Sequence, residues 1–207
     1  MIILGLTGSI GMGKSTAASM LRRLGCPVHD ADASVHKLYA RGGKAVPAIQ
    51  GLFPDVVKNG SVDRAALATA VLGRPDALKR LEAAVHPLTR ADADDFLKRC
   101  ARRGVPVAVM DIPLLYETKG EQRVDAVIVV TAPAWLQRQR VLARPGMNAA
   151  KLANILARQV PDAEKRRRAD FVVPTGLGRR LTLLHLRRIV VAMKQRQGRV
   201  WSPTRKV

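Results

Sequence analysis

The sequence predicts an α/β protein built on a parallel five-stranded sheet flanked by helices. Three observations carry that expectation. Met1–Thr7, Val105–Met110 and Val124–Val130 are solid apolar runs without alternation, the pattern of strands covered on both faces. Between such runs, apolar residues recur at helical spacing, as at Ala17, Met20, Leu21 and Leu24. Strand-like and helix-like segments therefore alternate, and the first alternation passes through a glycine-rich turn.

In chain order, the first strand stops at Gly8, and a helix from Lys14 to Leu24 ends at Gly25. Cys26–His29 reads as a short second strand leading into Asp30-Ala31-Asp32. Residues 33–103 show no convincing strand. They read as helices broken at Gly42-Gly43, Phe53-Pro54, Asn59-Gly60, Gly73-Arg74-Pro75 and His86-Pro87. After the strands at Val105–Met110 and Val124–Val130, a helix is expected over Ala134–Arg144, stopped by Pro145-Gly146. Another follows from about Asn148 to Arg158. A third opens at Pro161, with Asp162 and Glu164 where carboxylates suit a helix N-terminus. Phe171–Val173 is the fifth strand, and Leu181–Arg196 closes the fold. The expected core is therefore 1–33, 89–133 and 169–196, with helical insertions at 34–88 and 134–168 and a basic tail at 197–207. Insertions at those places fall at the carboxyl ends of strands, where open α/β sheets bind ligands.

The 207 residues suffice for one core. No apolar run approaches the roughly 20 residues that span a bilayer, and the short N-terminal run does not read as a signal peptide. No membrane partner is expected. Two cysteines, Cys26 and Cys100, form neither a ligand pattern nor a disulfide framework, which fits a reducing cytoplasm. The charge is unusual: 36 Lys and Arg against 16 Asp and Glu, a net +20. Such a field attracts polyanions, whether nucleic acid, anionic lipid or polyphosphorylated small molecules. Aromatics are only 3%, which argues against a binder that stacks single-stranded bases. A nucleic-acid-associated ATP-binding module remains a rival on charge alone, as does another small-molecule or nucleotide kinase on this scaffold.

Gly8-Ser-Ile-Gly-Met-Gly-Lys-Ser15 matches the phosphate-binding pattern G-x-x-x-x-G-K-[ST] in full, between a strand and a helix. Gly8, Gly11, Met12 and Gly13 allow a tight turn whose N–H groups approach phosphate oxygens, and the helix N-terminus at Lys14, Ser15 and Thr16 faces the same anion. Lys14 supplies a point charge, and the Ser15 hydroxyl is the expected magnesium ligand. Asp32, just past the second strand and beside this loop, suits a base or orienting group for a substrate hydroxyl; either Asp30 or Asp32 also suits a helix cap. Asp111 closes a core strand, where it serves as a second magnesium ligand or as a turn residue. Arg140 and Arg144, spaced i and i+4, read as a phosphate clamp or as a solvated face; Arg138 lies off that face. Lys165–Arg168 reads as mainly solvated, and His86 as a packing residue.

Together these residues resemble the dephospho-CoA kinase family. The resemblance covers Leu6–Thr16, Asp30-Ala-Asp32, His86-Pro87 and Asp111-Ile-Pro-Leu-Leu-Tyr-Glu117. It continues through Gln137-Arg-Gln-Arg140 with Arg144, Gln159, Lys165-Arg166 and Ala169-Asp170, to about residue 176. The resemblance implies ATP and dephospho-CoA as substrates, Mg2+ as the metal, a cytoplasmic enzyme and a monomer. It implies Asp32 as the base at the ribose 3′-hydroxyl, with Lys14 and Arg140 also catalytic. Gly8, Gly11–Thr16, Arg140 and Arg144 would hold ATP. Asp32, His86, Pro113, Leu114 and Leu115 would bind the acceptor, 34–88 would be the acceptor-binding insertion and 134–168 the lid. The chain departs from the family at Ser9 and Met12, where small residues are usual, and at Pro145, where Asp is usual. Val173-Pro-Thr-Gly176 replaces an Asn-containing stretch.

Overall fold

The computed structural model describes residues 1–201. Its first elements are β1 (Ile2–Thr7), α1 (Lys14–Arg23), β2 (Val28–Asp30), α2 (Ala31–Tyr39) and α3 (Val46–Leu52). There follow β3 (Val57–Lys58), β4 (Ser61–Val62), α4 (Arg64–Val71), α5 (Pro75–Arg102), β5 (Val107–Asp111) and β6 (Ala126–Thr131). The chain then forms α6 (Ala134–Leu142), α7 (Ala149–Ala157), α8 (Asp162–Arg168), β7 (Phe171–Pro174) and α9 (Arg179–Lys194).

The five expected strands make one sheet in the order β2-β5-β1-β6-β7. Every residue of β1 is buried, which is why its sequence is apolar without alternation. Ile2, Leu4 and Leu6 pack in one core with Ala17, Ala18 and Leu21 of α1 and Leu186, Ile189, Val190 and Met193 of α9. Parallel pairing sets Leu6 between Asp111 and Ile128, so the carboxyl end of β5 lies beside that of β1 and β6 runs on to Thr131. One expectation is corrected: β2 is not beside the strand that carries the glycine loop, because β5 runs between them.

The chain divides into two units: Met1–His29 with the chain from Arg99 onward, and Asp30–Lys98. The second unit is wider than the expected 34–88. At its start, the Asp30 carboxylate caps α2 by accepting from the Ala33 N–H. At its end, α5 does not break at His86-Pro87 but runs through Pro87 as one helix. A proline removes one helical hydrogen bond. Here Leu81, Val85 and Leu88 pack into the core of that unit on both sides of it. The unit also holds a strand pair the sequence did not announce. Asn59 and Gly60, with φ of 51° and 74°, form the turn of a β3–β4 hairpin rather than a break between helices. Strands of two residues are too short to show alternation. Of the expected tail at 197–207, residues 202–207 lie outside the described residues.

Candidate active site

The loop from Gly8 to Gly13 leaves β1 and delivers the chain into α1. Gly11 and Gly13 have φ of 77° and 88°, and both are crowded. A Cβ on Gly11 would meet Val141 at 2.6 Å, and one on Gly13 would meet the Thr175 hydroxyl at 3.0 Å. No side chain caps the start of α1, which leaves its first N–H groups and the positive end of its dipole for an anion. Ser15 and Thr16 are exposed there. The Met12 side chain instead joins the core, and its sulfur accepts from the Ala132 N–H at 3.1 Å.

Lys14 Nζ donates to Asp111 Oδ1 at 2.7 Å. Asp111 is the last residue of β5 and only 2% exposed. Its burial and ion pair decide against a simple turn residue. The strand register brings the pair together, since Asp111 lies beside Leu6, immediately before the loop.

Of the two aspartates after β2, Asp30 is the cap. Asp32 lies in the first turn of α2, exposed and, among the described residues, without a hydrogen bond or ion pair. It is therefore helical rather than on an extended segment. His86 is exposed on α5.

Arg140 reaches the glycine loop: its guanidinium donates to the Gly11 carbonyl at 3.4 Å, to Thr175 Oγ1 at 3.2 Å and to the Thr175 carbonyl at 3.0 Å. Arg144 lies beyond the end of α6. The helix ends at Leu142, and the turn that follows accommodates Pro145, which disfavours a helical residue before it. Arg144 is exposed. After β5, Pro113 accepts from the Thr7 hydroxyl at 3.0 Å, and Leu114 is 43% exposed. Leu115, the third residue expected there, is 0% exposed and lies against Gly5 and Gly120.

Several residues at this site were not singled out by residue-level reasoning. Lys165, in a run read as mainly solvated, is fully buried and pairs with Glu117 at 2.8 Å. Burial alone would raise the Glu117 carboxyl. The hydrogen bonds from Lys165 and from the Val160 N–H outweigh it and hold the group below the ordinary carboxylate range. Arg168 lies over the Tyr116 ring at 4.2 Å and pairs with Glu121 at 2.7 Å. Burial pushes the Tyr116 phenol up to about 12. Four consecutive cations on a helix face different directions, and Lys165 is the one turned inward. Gln137, Gln159 and Thr175 also touch the loop. The two glutamines stood in the quoted family pattern, but no charge or spacing marked them.

A family model described as dephospho-CoA kinase matches residues 2–176. A dephospho-CoA kinase of Mesorhizobium japonicum is 57% identical over 198 residues, covering 96% of this chain and 100% of that protein. One from Paramagnetospirillum magneticum is 62% identical over 194 residues, with 94% and 92% covered. Among solved structures, a Thermus thermophilus protein superposes with a TM-score of 0.76 at 37% identity, covering 92% of this chain and 96% of that one. A dephospho-CoA kinase from Campylobacter jejuni shares the fold, with a TM-score of 0.63 at 22% identity, covering 92% and 96%. With a complete phosphate loop between β1 and α1 and a family match that spans most of its length, the chain belongs to the dephospho-CoA kinase family.

Proposed function

We propose that this enzyme transfers the terminal phosphoryl group of ATP to the ribose 3′-hydroxyl of dephospho-CoA, giving coenzyme A and ADP. The observation that carries the reading is the phosphate loop, with Lys14 and Asp111 paired at its base, in a chain matched by the family over residues 2–176. A new bond forms between the hydroxyl oxygen and the γ-phosphorus, the bond from that phosphorus to the β–γ bridging oxygen breaks, and the hydroxyl proton passes to Asp32. The exposed Asp32 carboxylate suits that role, and Asp30 has already taken the capping one.

Charge spreads over the transferred oxygens in a loose transition state, so positioning and cations supply most of the catalysis. The loop and helix start over Gly11–Thr16 hold the phosphates, with Gly11 and Gly13 N–H turned to them, Lys14 follows the β- and γ-oxygens, and Arg140 approaches from α6. Arg144 joins them when the turn after α6 moves inward. Mg2+ would be held by the Ser15 hydroxyl and the Asp111 carboxylate, with phosphate oxygens and water completing its shell, and would neutralise developing charge. Both protein groups are hard oxygen donors, which fits that ion. Pro113, Leu114, His86 and Asp32 serve the acceptor, and 30–98 is the acceptor-binding unit. The compartment that fits is the cytoplasm, and the state that fits is a monomer.

The test is coupled ADP release with dephospho-CoA, adenosine, AMP, CMP and shikimate as acceptors. Dephospho-CoA is expected to be preferred in kcat/KM by about 10²-fold or more, because a site built to pair acceptor polar groups rejects analogues lacking them. Equal turnover of AMP or CMP would move the reading to a nucleotide kinase.

A further inference from the structure

We infer that Gln137 and Thr175 are positioning residues that pre-shape the phosphate loop from outside, with Gln159 pinning its one reversed peptide. The inference deepens the phosphoryl-transfer reading and rests on it, since it supposes that the loop holds ATP.

Three consecutive loop carbonyls are taken by donors outside the loop. Ile10 accepts from Gln137 Nε2 at 2.7 Å, Gly11 from Arg140 at 3.4 Å, and Met12 from the Thr175 hydroxyl at 2.7 Å. In a trans peptide the carbonyl and the next N–H point in opposite directions. Holding the carbonyls of residues 10, 11 and 12 from outside therefore turns the N–H groups of Gly11, Met12 and Gly13 to the inner side. Met12 N–H bears this out by donating to Ser9 O within the loop at 3.1 Å. The N–H groups of Gly11 and Gly13 are thereby aimed for phosphate oxygens, as in an anion-binding nest.

The peptide between Ser9 and Ile10 has the reverse orientation. Its carbonyl points inward to Met12 N–H, and its Ile10 N–H points outward to Gln159 Oε1 at 3.1 Å. Ile10 is thus gripped on both sides by glutamines from α6 and from the segment before α8. The chemistry fixes each amide: a carbonyl can only accept, so Gln137 must donate, and an N–H can only donate, so Gln159 must accept. Gln137 is 7% exposed, so water is a poor substitute for its hydrogen bond. A loop shaped before ligand arrives spends less binding energy on ordering its N–H groups.

The opposite hydrogen-bonding roles of the two glutamines supply the experiment. ADP affinity is measured by calorimetry on the full chain, with thermal stability followed for each variant and KM and kcat for ATP measured afterwards. Gln137→Glu sets a carboxylate against the Ile10 carbonyl, whereas Gln159→Glu keeps an acceptor for the Ile10 N–H. Both add the same charge to the same peptide's neighbourhood. ADP binding by Gln137→Glu is expected to be at least about fivefold weaker than by Gln159→Glu. Thr175→Val, which keeps the shape and loses the hydroxyl, is expected to bind ADP at least about fivefold more weakly than Thr175→Ser. KM for ATP should follow the same order, with a smaller change in kcat. Equal affinities for the two Glu variants, or for Val and Ser at 175, would overturn the proposal. If Gln137→Glu does not fold, the Thr175 pair decides alone. A wild-type protein that binds ADP but does not phosphorylate dephospho-CoA would overturn the acceptor reading, while the ADP series would still judge the loop supports.

Discussion

Asp30 and Asp32 are two residues apart and do different work. Asp30 accepts from the Ala33 N–H at 3.0 Å and starts α2, while Asp32 is exposed in the first helical turn with its charge unspent. Asn caps a helix about as well as Asp, so Asp30→Asn should leave both stability and turnover near wild type. Asp32→Asn keeps the shape and removes the proton acceptor. Its kcat with dephospho-CoA should fall by about 10²-fold, the low end of general-base contributions, at unchanged ADP affinity. Steady-state kinetics on both variants checks this, and normal turnover by Asp32→Asn would remove that residue from the chemistry. Position in the sequence offered Asp32 for the chemistry and either aspartate for the cap. The backbone decided, since only Asp30 has the extended conformation of an N-cap.

The helices from α6 to α8 are not held alike. α6 buries Gln137 and Val141, and α8 buries Lys165 against Glu117, while α7 buries only Leu152. The moving part of a lid is therefore expected at 143–160, narrower than the whole insertion. Hydrogen exchange should show that stretch gaining protection when a nucleotide analogue binds, with α6 and α8 protected throughout; equal protection at 143–160 in both states would remove the lid. The Glu117–Lys165 pair has its own signature. Removing one partner of a buried pair typically costs about 3–5 kcal/mol, which lowers Tm by roughly 6–20 °C in a chain of this size. Glu117→Gln should show that loss at neutral pH. Because the folded-state pKa is lowered, the pair's contribution is fully present above the ordinary carboxylate value and disappears as pH falls through the folded one. Wild type and variant should thus converge in Tm only as the pH falls below the ordinary carboxylate range and through the depressed folded-state value of Glu117; a difference that persists unchanged through acid would assign the loss to packing.

At the scale of the molecule, the net charge of +20 exceeds what ATP and dephospho-CoA require. From residue 171 onward there is no acidic residue at all, and Arg179, Arg180, Arg187, Arg188 and Lys194 all belong to α9, which contributes much of the excess. Small polyanions make few phosphate contacts. The KM for ATP should therefore rise by less than about tenfold between about 50 and 200 mM salt, whereas a function resting on six to ten nucleic-acid phosphate contacts would lose about 10³-fold or more. Turnover measured across that range, with and without duplex DNA, checks the distinction.

The sequence by itself determined the class of sheet, its five strands and the glycine loop, because each is written in neighbouring residues. A strand covered on both faces must be apolar throughout, and a phosphate loop needs glycine where φ is positive and a cation at a helix start. Only the tertiary structure decided which distant residues serve that loop. Asp111 meets Lys14 because β5 lies beside β1 in parallel register, Leu115 is taken by the core beneath Gly5, and Lys165 faces inward to Glu117. It also decided that α5 continues through Pro87, where packing on both sides outweighs one lost hydrogen bond. Gln137, Gln159 and Thr175 are uncharged and ordinary in composition. Their role comes from the direction in which three elements point at one peptide chain, and no local pattern in the sequence records direction.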